Sequence, residues 1–236
     1  MNEAMPEPRY AIYFVPGADT ALYQFGASVL GYDCYGGRDV ALIDGAASWP
    51  WAKLVSEPRR YGFHATLKPP FRLAAGQRAA DLERALASFA ADHDAVPLGD
   101  LVIRELGAFI ALVPKAAPAQ LAEFANACVR DFDRFRAPLS AAERERRMAA
   151  TLSARQIEHL ERWGYPYVFE DFRFHMTLTG SLPQPERQRV LEFLREKFEQ
   201  GLNAGPFTLD RIVIARQVGN GAPFLVISSS SLRSLD

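Results

Sequence analysis

One short phrase is written twice in this chain, as YGFHATLKPP from Tyr61 and as FRFHMTLTG from Phe172. The segments downstream of the two copies are also alike. After the first, residues 77–93 carry apolar side chains at helical spacing, and residues 101–104 and 108–113 are short apolar runs around Gly107. After the second, residues 185–200 are again amphipathic, and residues 207–215 and 224–229 are again two runs around Gly219 and Gly221. Both halves read strand, helix, hairpin. The register agrees, since His64 stands 38 residues before Val102 and His175 stands 38 before Val213. Such a repeat predicts an α+β fold of two pseudo-symmetric lobes within residues 1–236. One lobe is expected around 61–113 and the other around 172–230, with a helical connection over about 118–163.

The other segments fit this frame. Residues 9–15 form an aromatic and β-branched run stopped by Pro16-Gly17, which suits a core strand. A helix is expected over 20–30, with Asp19 or Thr20 as its cap and Gly31 as its stop. Residues 32–61 are broken by glycines and prolines, carry Trp49 and Trp51, and suit a partly ordered connection covering a site. Helical pieces are expected over 118–135 and 140–163, the latter opened by caps at Ser140 and Ser153.

In a strand, side chains alternate between faces. Phe63, Ala65 and Leu67 are then core residues, as are Phe174, Met176 and Leu178. His64 and Thr66, extended to Lys68, share the opposite face of the first strand, and Arg173, His175, Thr177 and Thr179 share that of the second. Each face offers an imidazole, a hydroxyl and a cation. One neutral imidazole can take a proton from water or a ribose hydroxyl while an opposing imidazolium protonates the departing oxygen, each worth about 10² to 10⁴ in rate. This inventory suits phosphodiester cleavage without a cofactor or metal, and no HExxH or comparable ligand cluster is written. Two of only four histidines precede a threonine by two residues in a chain with six threonines, so coincidence is the poorer explanation. His93, at a helix end, and His159, in a polar helix, are expected to be structural or surface residues.

Composition narrows the partner. With 27 Lys and Arg against 28 Asp and Glu, no global field attracts a polyanion, so a small phosphorylated substrate is expected rather than a long nucleic acid. Residues 130–147 are arginine-rich but interleaved with acids, which suits a solvated face with internal ion pairs, although Arg136 before Pro138 is placed to reach a phosphate. Tyr61 and Tyr167 are candidates for a substrate pocket. Cys34 and Cys128 lack ligand-spaced neighbours and are expected to be free, buried thiols. The acidic, proline-containing start and the lack of a long apolar run predict a cytoplasmic protein.

The paired H-x-T motifs resemble the two-histidine phosphoesterase superfamily, which includes RNA 2′,3′-cyclic phosphodiesterases and RNA ligase-like enzymes. YGFHATLKPPF, FRAPLS before an arginine-rich helix, and RWGYPYVFEDFRFHMTLTG together resemble a branch of uncharacterised proteins found in bacterial phosphonate-metabolism gene clusters. The resemblance covers nearly the whole chain. It implies two lobes, each an antiparallel sheet with helices outside, around a cleft in which His64 and His175 are the acid/base pair and Thr66 and Thr177 bind phosphate. A ribose cyclic phosphate is the implied substrate. A non-catalytic metabolite binder and an RNA-end enzyme are the alternatives, and the chain lacks the basic groove with interleaved aromatics of RNA-processing members.

Overall fold

The computed structural model describes residues 7–116, 118–202, 206–219 and 221–234. The acidic start read at residues 1–6 lies outside them. In chain order the elements begin with β1 (Arg9–Phe14), α1 (Ala21–Leu30), β2 (Tyr32–Asp33), β3 (Arg38–Asp39), the single turns α2 (Trp51–Leu54) and α3 (Ser56–Arg59), and β4 (Ala65–Arg72). Next come α4 (Ala79–Asp92), β5 (Val96–Gly99), β6 (Leu101–Leu106), β7 (Phe109–Pro114), α5 (Ala119–Asp131), α6 (Ala141–Met148) and α7 (Ala154–Trp163). The chain closes with β8 (Met176–Thr177), α8 (Gln184–Gly201), β9 (Phe207–Leu209), β10 (Arg211–Gln217) and β11 (Leu225–Ser231). No helix among the described residues is long and apolar enough to cross a membrane.

The expected helix signals act as read. Thr20 caps α1 and Gly31 ends it in the left-handed region, while Ser140 and Ser153 each close a full capping box. The 207–215 run divides at Asp210: β9 pairs with β5 in a small separate sheet, and β10 joins the main one.

The main sheet is antiparallel with strand order β11-β10-β1-β4-β8-β7-β6. In this order the strands of the two halves of the chain interleave. The first motif's strand, β4, lies beside β1 and the hairpin β10–β11 from the second half, whereas β8 of the second motif lies beside the hairpin β6–β7 from the first half. A sequence repeat records the order of elements but not their pairing partners, and here each hairpin crosses to flank the other motif. The groups of four and three strands meet where Ala65 pairs with Met176. Helix α4 packs on β10 and β11, α5 on β4, and α8 on β6 and β7.

The core half of the alternation holds on both motif strands: Phe63, Ala65, Leu67, Phe174, Met176 and Leu178 are all buried. Across the sheet, Phe14, Ala65, Met176 and Leu112 form one buried row. At about 25 cal/mol per Å² of apolar area, a row like this anchors the strands that carry the polar face. Cys34 and Cys128 are free and buried.

Candidate active site

The pairing of Ala65 with Met176 in antiparallel strands sets the site. One step to either side, His64 comes opposite Thr177 and Thr66 opposite His175, with all four side chains on one face. The cavities agree: Thr66 and His175 line one, and His64 and Thr177 line another. Sheet geometry places the two histidines on a diagonal, about 7–8 Å apart at Cα.

Both imidazoles are held the same way. His64 Nδ1 donates to the carbonyl of Gly62 at 2.9 Å, and His175 Nδ1 donates to that of Arg173 at 2.8 Å. A carbonyl only accepts, so Nδ1 carries a hydrogen in each ring and Nε2 is the nitrogen that can exchange a proton. His64 Nε2 lies 3.1 Å from Thr66 Oγ1, which donates to it. Gly62 supplies its carbonyl from φ 73°, and a Cβ there would stand 2.5 Å from Cys34 Cβ, so this position requires glycine.

Burial, and then the nearby charge of His175, lower the His64 pKa to about 4, against the opposing Gly62 hydrogen bond. His64 is therefore neutral at physiological pH, as a base must be. Its ring stacks on Tyr13 at 3.8 Å between centroids, and Tyr61 flanks it at 6.2 Å while stacking on Phe224. Phe109 borders His175 at 5.8 Å.

The ten residues singled out from sequence divide. His64, His175, Thr66 and Thr177 come together, Tyr61 lines the same cleft, and Tyr167 and the exposed Arg173 line its His175 side. Lys68 does not face the site. Its Nζ is buried, donating to the Val129 carbonyl at 3.1 Å and to Asp133 at 2.9 Å. The cause is a register shift: Thr66 pairs with Tyr13 but Lys68 with Ile12, adjacent β1 residues that face opposite ways, so the alternation flips at Leu67. Pro69 and Pro70 come next, and having no N–H they donate no ladder bonds.

Arg136 is likewise engaged elsewhere, gripping Asp133 at 2.8 and 3.2 Å and the Arg162 carbonyl at 3.0 Å. Thr179 is buried, and its hydroxyl accepts from Ile110 N–H and donates to the Gly180 carbonyl, so its work is structural although it borders the cleft. His93 ends α4, bonded to the Phe89 carbonyl, and His159 lies between Glu170 and Asp171. Both are structural. Among the described residues, no three His, Cys, Asp or Glu side chains gather so as to hold a metal ion.

Sequence reasoning missed Tyr13, Arg9 and the pair Arg146 and Arg147, all lining the His64 side of the cleft. Residues 130–147 are thus only partly a solvated ion-paired face. Arg144 does pair with Glu161, and Glu143 with Arg72, but Arg147 turns inward over the Tyr165 ring at 4.9 Å. The arginine run was the available signal, and only the docking of α6 over the cleft selects which of its members matter.

These features define an α+β protein in which two H-x-T strands meet at one cleft. The chain belongs to the family described as protein of unknown function (DUF1045), whose model matches residues 66–225. The ribose 1,5-bisphosphate phosphokinase PhnN of Janthinobacterium sp. (strain Marseille) is 37% identical over 222 residues, covering 92% of this chain and 49% of that protein. The protein of the same description from Laribacter hongkongensis (strain HLHK9) is 38% identical over 176 residues, covering 75% of this chain and 41% of that protein. The chain spans about half the length, or less, of these relatives. Among solved structures, E. coli LigT complexed with NADP+ aligns at 13% identity and TM-score 0.39 over 96% of this chain and 98% of LigT. The conserved protein of unknown function ATU0111 from Agrobacterium tumefaciens str. C58 aligns at 12% identity and TM-score 0.45, over 96% and 87%. At TM-scores under 0.5 these likenesses assign neither an activity nor a ligand.

Proposed function

We propose that the chain is a two-histidine phosphoesterase that hydrolyses a cyclic phosphodiester on a small phosphorylated ribose, without a metal. The observation that carries this reading is the antiparallel meeting of the two H-x-T motifs, with each Nδ1–H tied to a carbonyl and His64 Nε2 accepting from Thr66 until substrate takes the hydroxyl. His64, held neutral, takes a proton from water as its oxygen bonds to phosphorus. The ring P–O bond breaks and His175, as imidazolium, protonates the departing ribose oxygen, leaving a phosphate monoester and a free hydroxyl. The Thr66 and Thr177 hydroxyls, with Arg173 at the rim, hold the nonbridging oxygens and stabilise charge at phosphorus.

The substrate class draws on the relatives. Their names describe a kinase of ribose 1,5-bisphosphate, and this chain matches only half of each. No GxxxxGK[ST] loop occurs in its 236 residues. Opening a cyclic phosphate that bridges the first two ribose oxygens delivers a ribose 1-phosphate, the kind of compound such a kinase consumes. This fits a place in phosphonate breakdown. The test is a screen of cyclic nucleotides and cyclic sugar phosphates in ¹⁸O-water: one labelled oxygen in the product phosphate supports the reading. Tight binding with no product makes the protein a metabolite binder instead.

A further inference from the structure

Beyond the two motifs, the cleft continues into a basic wall that the hydrolytic scheme does not use. This cavity of ≈ 740 Å³ holds four arginines, Arg9, Arg72, Arg146 and Arg147, against two carboxylates, Glu7 and Glu143. Both carboxylates are bound to Arg72, at 3.4 and 3.1 Å. Among the described residues, Arg9, Arg146 and Arg147 have no acidic partner. Arg9 is oriented by a neutral group, donating to Gln217 Oε1 from Nε at 2.9 Å, and Gln217 is in turn held by the Ala222 carbonyl at 2.6 Å.

Two buried donors in the same wall lack hydrogen-bond partners: the Tyr13 hydroxyl and Arg147 Nε. Leaving such groups unpaired costs about 1–3 kcal/mol each, and of the seven such atoms among the described residues these two line one cavity. Burial above all, and the like charges of Arg146 and Arg9, hold Arg147 below the ordinary arginine range, with Tyr165 and Glu143 opposing. The cavity beside His175 is a poor alternative for an anion. It is lined by Glu105, Glu170 and Asp171 against only Arg155 and Arg173, and Arg155 is bound to Asp171.

We propose that Tyr13, Arg9, Arg146 and Arg147 form a second anion subsite, which takes a phosphate monoester carried by the same small sugar whose cyclic phosphodiester lies at the histidines. The inference rests on the phosphoesterase reading and deepens it: the substrate class is a sugar bearing both groups. Arg147 is a specificity residue here, recognising the remote phosphate through its planar fork.

The probe is ribose 5-phosphate, titrated by calorimetry against ribose. Wild type and His175→Ala are expected to bind ribose 5-phosphate alike and to ignore ribose. Arg147→Met is expected to weaken binding at least tenfold, and Arg147→Lys to restore part of it. Arg146→Met, on a more accessible side chain, guards against misfolding of the Arg147 variants and is expected to weaken binding as well. Unchanged affinity in both methionine variants overturns the subsite, as does binding lost in His175→Ala but kept in Arg147→Met. Because this readout needs no turnover, it stands or falls separately from the hydrolytic reading.

Discussion

His64 makes stability depend on pH in a calculable way. Its folded-state pKa of about 4 lies below the 6.5 of a free histidine, so as pH falls the unfolded chain takes up the proton first. Stability is therefore full above about 6.5 and drains away between about 6.5 and about 4. A gap of 2.5 units corresponds to about 3 kcal/mol in all, of which about 2 kcal/mol is lost by pH 5, and water at the partly exposed ring reduces both figures. The perturbation is His64→Gln, which keeps a polar side chain that does not titrate. The assay is urea unfolding of wild type and variant at pH 7.5 and pH 5.0. Burial raises Asp133 and Glu143, but Arg136 and Lys68 on the first, and Ser140 and Arg72 on the second, hold both below the usual carboxylate range. Their contribution is lost at lower pH and cancels in the comparison. Wild type is expected to lose about 1–2 kcal/mol more than the variant between the two pH values. Equal losses would refute the claim that the fold holds His64 neutral.

Three further outcomes are expected. Lys68→Met leaves Asp133 with Arg136 alone and removes a buried ion pair, so urea unfolding should show a loss of about 3 kcal/mol, while KM measured on the folded protein stays unchanged. Gly62→Ala forces a Cβ onto Cys34 at a left-handed backbone position and shifts the carbonyl that holds His64, so both Tm and kcat should fall. Hydrolysis should be indifferent to EDTA, and kcat/KM should fall on the acid side as His64 is protonated. Loss of activity that a divalent ion restores would replace the acid/base scheme.

The features legible in the sequence obey local rules, and those that were hidden depend on pairing. Thr20, Ser140 and Ser153 cap helices because their hydroxyls bond backbone amides three residues on, a relation contained within one turn. The burial of Phe63, Ala65 and Leu67 comes from alternation, and the same alternation fails at Lys68 because a bulge depends on the neighbouring strand. The repeat revealed two motifs that belong together, yet not that their hairpins exchange, since both arrangements share one element order. Tyr13 read as an ordinary core strand residue. It reaches the site only because β1 pairs with Thr66 on one side while its ring covers His64. Arg146 and Arg147 sat in a run whose charges looked self-satisfied, and only the docking of α6 separates them from the paired arginines.

The central claim is that two histidines on adjoining strands divide one proton-transfer task. Initial rates of cyclic ribose phosphate hydrolysis by His64→Ala and His175→Ala, beside wild type and with folding checked by circular dichroism, test it most directly. Each substitution is expected to lower turnover at least about 10²-fold in a folded protein. Activity retained in either variant contradicts the account.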